Sequence, residues 1–385
     1  MRPLRITGGQ VLTEATLTEG DLLLRNGRIE SGPTPDARTP DSRTLDARGL
    51  LVLPGIIDIH GDAFERQFQP RPGITFPTDL ALEDTERQLL SCGITTAFHG
   101  VTLSWEPGLR SAQAWRAMLD GLAARPWTCD MRVHLRWEAY NLAALDMAIA
   151  DIAAGRVHLL AFNDHTQAIL ARLGDDTKAA KYSDRAGMKL DAFRTLATSI
   201  GARAPEIPAA QSRIAAAARA AGIPMASHDD DTIATRNTFR AEGAHICEFP
   251  IAEEVGAAAR AAGDWVAMGA PNVVRGKSHL GWASAAQLAE AGTCRVLCSD
   301  YFYPCLLRAP FVLAASGVLT LAQAWALVSA NPAAAAGLGD RGTIAPGQRA
   351  DLVLVDATGP APRLVATIAG GVPAYLTSEG WGRLA

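Results

Sequence analysis

Short apolar runs alternate with longer helical segments along most of the chain. Eight of these runs are rich in Val, Ile, Leu and Ala, and the segments between them repeat Ala and Leu at helical spacing. Strands that alternate with helices are typical of parallel βα units, so the pattern predicts an α/β fold, a (β/α)8 TIM barrel. The predicted barrel strands span residues 55–60, 94–100, 131–138, 157–165, 223–230, 245–250, 265–272 and 295–300.

The two ends of the chain carry a different pattern, with short apolar runs broken by Gly, Pro and Asp. Each end is too small to bury a core alone, so we predict that they combine in one small β-sandwich domain. The sandwich would comprise residues 1–53 and 340–385, and the barrel would comprise residues 54–339. Residues 166–205 exceed the length of one crossover helix, which predicts either a substrate lid or an extra pair of surface helices.

Composition narrows the class of protein. Hydrophobic residues make up 48% of the chain and the formal net charge is −4, which suits a globular protein and argues against a nucleic-acid-binding surface. No apolar run reaches the length of about 18 residues that a membrane span needs. The N-terminus lacks the apolar stretch of a secretory signal, and the six cysteines include no C-x-x-C pair, so we expect reduced thiols and a cytoplasmic protein.

Histidines and carboxylates gather at the predicted C-terminal ends of the barrel strands, where barrel enzymes place their active sites. Neutral imidazole nitrogens and carboxylate oxygens are the ligands that Zn²⁺ and related divalent ions bind. A lone strand-end histidine is more often structural, but three histidines with three carboxylates at matching ends predict a centre for one or two divalent ions, with zinc expected. The predicted ligands are His60, Asp62, Glu138, His165, His228 and Asp300.

Alternation along the strands supports this geometry. His60 and Asp62 are two residues apart, so both side chains point to one side if the strand continues. His134, Arg136 and Glu138 share one face of the third strand for the same reason. If this face points into the barrel, these three side chains form a buried charged column. Such a column needs partners or a ligand, because unpaired buried charges are costly.

Basic residues near the same strand ends form the candidate substrate-binding set. Arg275, Lys277 and His279 follow the seventh strand on one loop that contains Gly276, and such a cluster can bind phosphate oxygens. A single basic residue is as often an ordinary solvated charge. The predicted partner is an anionic small molecule, and a homodimer stays open as the assembly. The complete set is Arg71, Arg136, Lys181, Arg185, Arg275, Lys277 and His279.

Two long motifs resemble the amidohydrolase superfamily, namely LVLPGIIDIHGD and NPAAAAGLGDRGTIAPGQRADLVLVD. The resemblance spans almost the whole chain and implies a metal-bearing barrel beside a sandwich made of both termini. The segments HLRWE, GAPNVVRGKSHLG and SDYFYP are similar, in order and spacing, to the phosphonate-metabolism hydrolases of the carbon–phosphorus lyase pathway. That branch implies cleavage of α-D-ribose 1-methylphosphonate 5-triphosphate to the 5-phosphate and diphosphate.

The resemblance also implies a role for each predicted ligand. His60 and Asp62 match the H-x-D of the first strand, and Glu138 would take the place of a modified lysine that bridges two metals in other members. His165 and His228 would bind the second metal. Asp300 would complete the first site and act as the general base, taking a proton from a water whose pKa the metals lower.

Two other functions remain open at this point. A carbon–nitrogen hydrolase, such as a deacylase, cyclic amidase or deaminase, would use the same scaffold. The basic loop after the seventh strand favours the phosphoanhydride hydrolase, since a neutral amide does not need it. The segment GDAFER departs from the expected branch pattern and keeps the alternative open. A non-catalytic scaffold would not require His and carboxylate residues at so many strand ends.

Overall fold

The structure is a computed structural model, and it describes residues 2–13, 15–34, 42–71, 73–276 and 284–385. Within these ranges the chain forms an eight-stranded parallel barrel and a second eight-stranded mixed sheet. None of the helices in the described ranges is both long and apolar enough to cross a membrane.

The strands in the described residues are, in chain order, β1 (Leu4–Leu12), β2 (Leu17–Arg25), β3 (Arg28–Thr34), β4 (Arg43–Asp46), β5 (Leu51–Pro54), β6 (Ile56–Gly61), β7 (Ile94–Leu103), β8 (Asp130–Glu138), β9 (Leu159–Asn163), β10 (Met225–His228), β11 (Ile246–Glu248), β12 (Trp265–Gly269), β13 (Val296–Cys298), β14 (Leu352–Asp356), β15 (Arg363–Ala369) and β16 (Val372–Leu376).

The helices in the same ranges are α1 (Glu65–Phe68), α2 (Thr78–Ser91), α3 (Ala112–Ala123), α4 (Leu145–Ala153), α5 (Thr166–Leu170), α6 (Asp176–Ala186), α7 (Leu190–Gly201), α8 (Ile207–Ala221), α9 (Ile233–Ala241), α10 (Glu253–Ala261), α11 (Ala270–Arg275), α12 (Ala285–Glu290), α13 (Pro304–Ala315), α14 (Leu321–Ala326), α15 (Ala330–Ala335) and α16 (Ser378–Gly382). Short 3-10 helices lie at Gly108–Arg110, Leu142–Ala144 and Ala204–Glu206.

The barrel consists of β6 to β13, hydrogen-bonded in sequence order and parallel throughout. Each predicted barrel strand is present, so the predicted fold class is confirmed. The strands are buried on both faces, which explains why their sequences are nearly continuous apolar runs. The ring closes where β6 meets the end of β13. There the Asp300 amide donates to the His60 carbonyl at 3.0 Å, and the Asp62 amide donates to the Asp300 carbonyl at 2.9 Å.

The second sheet joins both ends of the chain, as predicted. Its order is β16-β15-β14-β5-β1-β2-β3, with β4 paired to β1, and β5 meets β14 in antiparallel register. Buried Leu, Ile and Val side chains from both termini form its core. Arg341 ties the C-terminal segment to the barrel, because its Nη1 donates to Asp130 Oδ2 at 2.6 Å and to Thr96 Oγ1 at 2.9 Å.

The long insertion between β9 and β10 folds into α5, α6 and α7. It has a small apolar cluster of its own, which includes Ile169 and Phe193 and packs against Trp105 in the loop after β7. The Trp105 indole also donates to Thr166 Oγ1 at 2.8 Å. The insertion is therefore anchored beside the C-terminal ends of β7 and β9, and α6 faces the mouth of the barrel.

Candidate active site

Four histidines form a row that runs from the partly exposed His165 to the fully buried His134. The ring centroids of His134 and His60 are 5.1 Å apart, those of His60 and His228 are 5.2 Å apart, and those of His228 and His165 are 6.3 Å apart. The row runs through strands that are far apart in sequence, and it contains all three histidines that the sequence predicts as ligands. His134, at one end of the row, was expected only as part of the buried column.

Three buried side chains contact one another but have polar atoms without a well-formed hydrogen bond among the described residues. His60 Nδ1, His134 Nε2 and both carboxylate oxygens of Glu248 lack hydrogen-bond partners there. One ligand atom from each of the three residues lies within 4.8 Å of the others, and His60 Nδ1 is 3.0 Å from Glu248 Oε2. Buried polar atoms are normally paired, so this triad is a candidate cation site.

The protonation of the two imidazoles suits a metal ligand. His134 Nδ1 lies 3.0 Å from the Ile59 carbonyl, so it carries the proton and leaves a lone pair on Nε2. Burial lowers the pKa of His134 to about 3 and, with the nearby Arg136 charge, lowers the pKa of His60 well below its usual value. Both rings are therefore neutral at pH 7, and the Glu248 carboxylate supplies the single negative charge that a divalent ion would offset.

Arg136 contacts two of the predicted ligands, His228 and Asp62. Its Nη2 donates to His228 Nε2 at 3.2 Å, and its Nη1 lies 3.5 Å from Asp62 Oδ2. With the Asn163 amide in its favourable orientation, Arg136 Nε donates to the Asn163 oxygen at 3.0 Å. The guanidinium is almost fully buried, so the predicted buried charge exists and its partners are now identified.

Glu138 and His165 form a second group. The two oxygens of the Glu138 carboxylate accept from the His165 amide at 3.1 and 3.2 Å, and Oε1 also accepts from the Thr166 hydroxyl at 2.8 Å. His165 Nδ1 is 3.2 Å from Glu138 Oε2. The pair is therefore satisfied by its own hydrogen bonds in this arrangement. Its bridging role stays a prediction.

Asp300 is held in place by the backbone that closes the barrel. Its φ of 56° is left-handed, which is uncommon for a residue other than glycine. Burial and the nearby Asp62 carboxylate raise the pKa of Asp300 to about 7. Asp229 and Phe249 share the left-handed conformation, with φ of 59° and 52°. Asp229 and Phe249 directly follow β10 and β11, Asp300 lies two residues after β13, and such strain is concentrated at functional sites.

A cavity of about 450 Å³ is lined by residues of the turn after β6, the loop after β7 and α6, and none of the predicted metal ligands is among its lining residues. Three predicted substrate-binding residues, Arg71, Lys181 and Arg185, line it together. Two further cations, Arg66 and Arg110, lie on the same wall and were not anticipated from the sequence. The cavity also contains the carboxylates Glu65, Glu106 and Asp184.

The remaining predicted basic residues lie elsewhere. Arg275 ends α11 as an exposed side chain and donates from Nη1 to the Tyr301 hydroxyl at 3.2 Å. Arg275 therefore contacts the residue that follows Asp300 and is not among the residues that line the cavity. Lys277 and His279 fall outside the described residues, so the structure adds nothing to their prediction.

Two residues of the candidate site were missed as ligands in the sequence. His134 carried a signal, since it shares a strand face with Arg136 and Glu138. Glu248 carried a weaker one, since it lies at the end of the sixth predicted strand in the motif EFP. Neither signal shows that β6, β8 and β11 bring three side chains to one point inside the barrel.

Comparisons with known proteins identify the family. The amidohydrolase family pattern matches residues 51–380. The chain belongs to the amidohydrolase family. It is 32% identical, over 359 residues, to the α-D-ribose 1-methylphosphonate 5-triphosphate diphosphatase of Escherichia coli strain K12. The match covers 91% of this chain and 94% of that protein.

Solved structures of differently named proteins share this fold. The dihydropyrimidinase of Brevibacillus agri NCHU1002 is 15% identical with a TM-score of 0.61, and the match covers 98% of this chain and 95% of that one. The β-aspartyl dipeptidase of Fervidobacterium islandicum AW-1, in complex with a β-Asp-Leu dipeptide, is 17% identical with a TM-score of 0.64 and coverage of 98% and 100%. At these identities the likeness shows the fold alone.

The protein is accordingly a hydrolase of the amidohydrolase superfamily, whose members typically bind divalent metal ions. The unpaired nitrogens and carboxylate of His60, His134 and Glu248 fit such an ion. Asp62, His228 and Asp300 lie around the same mouth of the barrel. Which of these residues bind metal, and which metal, stays a prediction.

Proposed function

We propose that the protein hydrolyses the phosphoanhydride bond of α-D-ribose 1-methylphosphonate 5-triphosphate and releases diphosphate. The observation that carries this proposal is the cavity lined in part by the turn after Asp62, where five cationic side chains converge. An oligophosphate needs cations of this kind, whereas a neutral amide does not. The activity named for the 32% identical relative supports the same substrate.

The chain's own residues suit this reaction. A bound divalent ion would polarise a phosphoryl oxygen and lower the pKa of water. Asp300 accepts a proton from the attacking water, whose oxygen forms a bond to phosphorus. The bond between that phosphorus and the bridging oxygen breaks, and diphosphate leaves with the electron pair. The buried Arg136 guanidinium, held by Asp62 and His228, stabilises negative charge that develops nearby.

A second candidate function is hydrolysis of a carbon–nitrogen bond. The named activities of the two solved structures favour it. The carboxylates of Glu65, Glu106 and Asp184 also favour it, because they neutralise part of the positive charge in the cavity. A surplus of two positive charges nevertheless remains among the eight charged residues that line the cavity, and this surplus favours an anionic substrate.

The deciding experiment compares substrate classes on one preparation. Protein loaded with zinc, and separately with manganese, is assayed on the ribose 5-triphosphate, on a dihydropyrimidine and on an N-acyl amino acid. We expect diphosphate release from the first substrate and little turnover of the others. Turnover of a neutral amide without diphosphate release would reject the phosphoanhydride proposal and favour the carbon–nitrogen hydrolase.

The charge of the cavity is tested in the same assay. Arg71→Gln should lower kcat/KM on the triphosphate roughly 10-fold, because a charge-assisted hydrogen bond is lost. Arg87→Gln is the matched control, since Arg87 is exposed on α2 and pairs only with Glu83 among the contacts found, at 3.3 Å. Equal losses of kcat/KM for both variants would show that the cavity cations have no specific role in the reaction.

A further inference from the structure

Arg110 lines the cavity and contacts Glu65, which follows the predicted H-x-D ligands in the chain. It ends the 3-10 helix after β7, and its carbonyl accepts from the Ser104 amide at 2.8 Å, which fixes the local backbone. Its guanidinium lies 3.5 Å from Glu65 Oε1 with 18% of the side chain exposed. The Glu65 amide donates to the Asp62 carbonyl at 3.0 Å, so Glu65 and Asp62 belong to one turn after β6.

Three carboxylates act on the charge of Arg110 in the cavity. Burial opposes its charge, yet the carboxylates of Glu65, Glu106 and Asp62 raise the pKa of Arg110 above its usual value. Arg185, by contrast, lies on α6 of the insertion and is held firmly by the buried Glu106 of the loop after β7, which accepts from its Nε at 3.2 Å and also from its Nη2. Arg110 is therefore a cavity cation with a long contact to its carboxylate partner, and that partner lies in the same turn as the predicted ligand Asp62.

A long contact of this kind is easily exchanged. At 3.5 Å the contact between Arg110 and Glu65 is longer than a normal charge-assisted hydrogen bond, so Glu65 uses little of the hydrogen-bonding capacity of the guanidinium. A phosphate group offers bidentate, charge-assisted hydrogen bonds to arginine and is a stronger partner. Glu65 thus occupies the position of an anion without binding Arg110 tightly.

We propose that the cavity is the subsite for the leaving diphosphate, that Arg110 binds it, and that Glu65 holds Arg110 when diphosphate is absent. This inference rests on the proposed function. Diphosphate carries several negative charges and matches a cavity with five cations against three carboxylates. The other end of the substrate, a ribose bearing one charged phosphonate ester, needs fewer cations and no surplus of this size.

The proposal predicts opposite effects for two neighbouring substitutions. Binding of inorganic diphosphate to the metal-loaded protein is measured by calorimetry for wild type, Arg110→Gln, Arg110→Lys and Glu65→Gln. Arg110→Gln should weaken binding roughly 10-fold to 100-fold, and Arg110→Lys should recover part of the loss. Glu65→Gln should strengthen binding several-fold, because it frees the guanidinium. Arg87→Gln should bind like wild type, which controls for chelation of the metal by diphosphate.

The outcomes separate this inference from the proposed function. If the protein hydrolyses the triphosphate but Arg110→Gln binds diphosphate as tightly as wild type, the subsite is wrong and the function stands. If the protein hydrolyses no triphosphate yet the opposite effects of Arg110→Gln and Glu65→Gln appear, the anion site stands and the function is wrong. Absence of diphosphate binding by wild type, or equal weakening by both variants, overturns the subsite. If Arg110→Gln fails to fold, the tighter diphosphate binding expected for Glu65→Gln tests the subsite by itself.

Discussion

Replacing Glu248 by Gln tests the candidate cation site through two effects of opposite sign. Glu248 is fully buried, and both its oxygens lack hydrogen-bond partners among the described residues. The substitution keeps the shape of the side chain but removes the charge. We therefore expect Glu248→Gln to lose divalent metal while the metal-free protein becomes more stable.

The magnitudes follow from burial and from binding linkage. Leaving a buried polar group unsatisfied costs about 1–3 kcal/mol, and more when the group is charged, so the metal-free variant should gain about 1–2 kcal/mol of unfolding free energy. Burial also raises the pKa of Glu248, which shows that its ionised form is disfavoured without a cation. A metal at 100 times its Kd stabilises the wild type by about 2.7 kcal/mol, and the variant should lose most of this gain.

The assay compares urea unfolding with chelator and with zinc, together with metal content by elemental analysis. Glu253→Gln, an exposed residue in the first turn of α10, is the control and should change neither quantity. Wild-type metal content in Glu248→Gln would refute the ligand assignment. A metal-free variant less stable than the wild type would refute the claim that the buried carboxylate is unpaired.

Three further predictions concern other parts of the barrel. Asp300→Asn should keep the melting temperature, since Asn tolerates the left-handed backbone, and lower kcat roughly 100-fold or more. Arg236→Met should lower the free energy of urea unfolding by about 3–5 kcal/mol, because buried Asp230 loses its ion pair at 3.2 Å. Adding Asp230→Asn should restore part of the lost stability. An Arg236→Met variant as stable as the wild type would contradict the prediction. Burial lowers the pKa of His99 from 6.5 to about 4. As the pH falls from 6.5 to 4, the unfolding free energy of the wild type should therefore decrease by about 3 kcal/mol more than that of His99→Leu. Parallel pH profiles of the two unfolding free energies would refute this.

The barrel was predictable because its strands are buried on both faces. A strand buried on both faces is mostly apolar, so even the three-residue strands β11 and β13 lie within recognisable apolar runs, and polar exceptions such as Arg136 and Glu248 belong to the candidate site. The terminal sheet was predictable for a different reason, since neither end of the chain can bury its apolar residues alone. In both cases one local property of the sequence requires the element.

The candidate site was only partly predictable because it depends on distances across the barrel. Alternation places His134 on the same face as Glu138, but four residues of strand separate them by about 13 Å in depth. That His134 meets Glu248 rather than the mouth depends on the tilt and closure of the ring, which no local pattern encodes. The contact of Arg136 with His228 has the same origin, since β8 and β10 are not adjacent strands.

The two halves of the proposed active site are positioned by different parts of the fold. Asp300 and His60 are joined by backbone hydrogen bonds at the barrel closure, where a Cβ on Gly61 would lie 2.6 Å from Asp58 Oδ2. Their geometry is therefore set by the main chain and leaves little room for change. The cavity depends instead on the α1 turn and on α6, which packs through the separate apolar cluster of the insertion. Changes in that insertion can therefore alter which anion binds without disturbing the groups that would hold the metal.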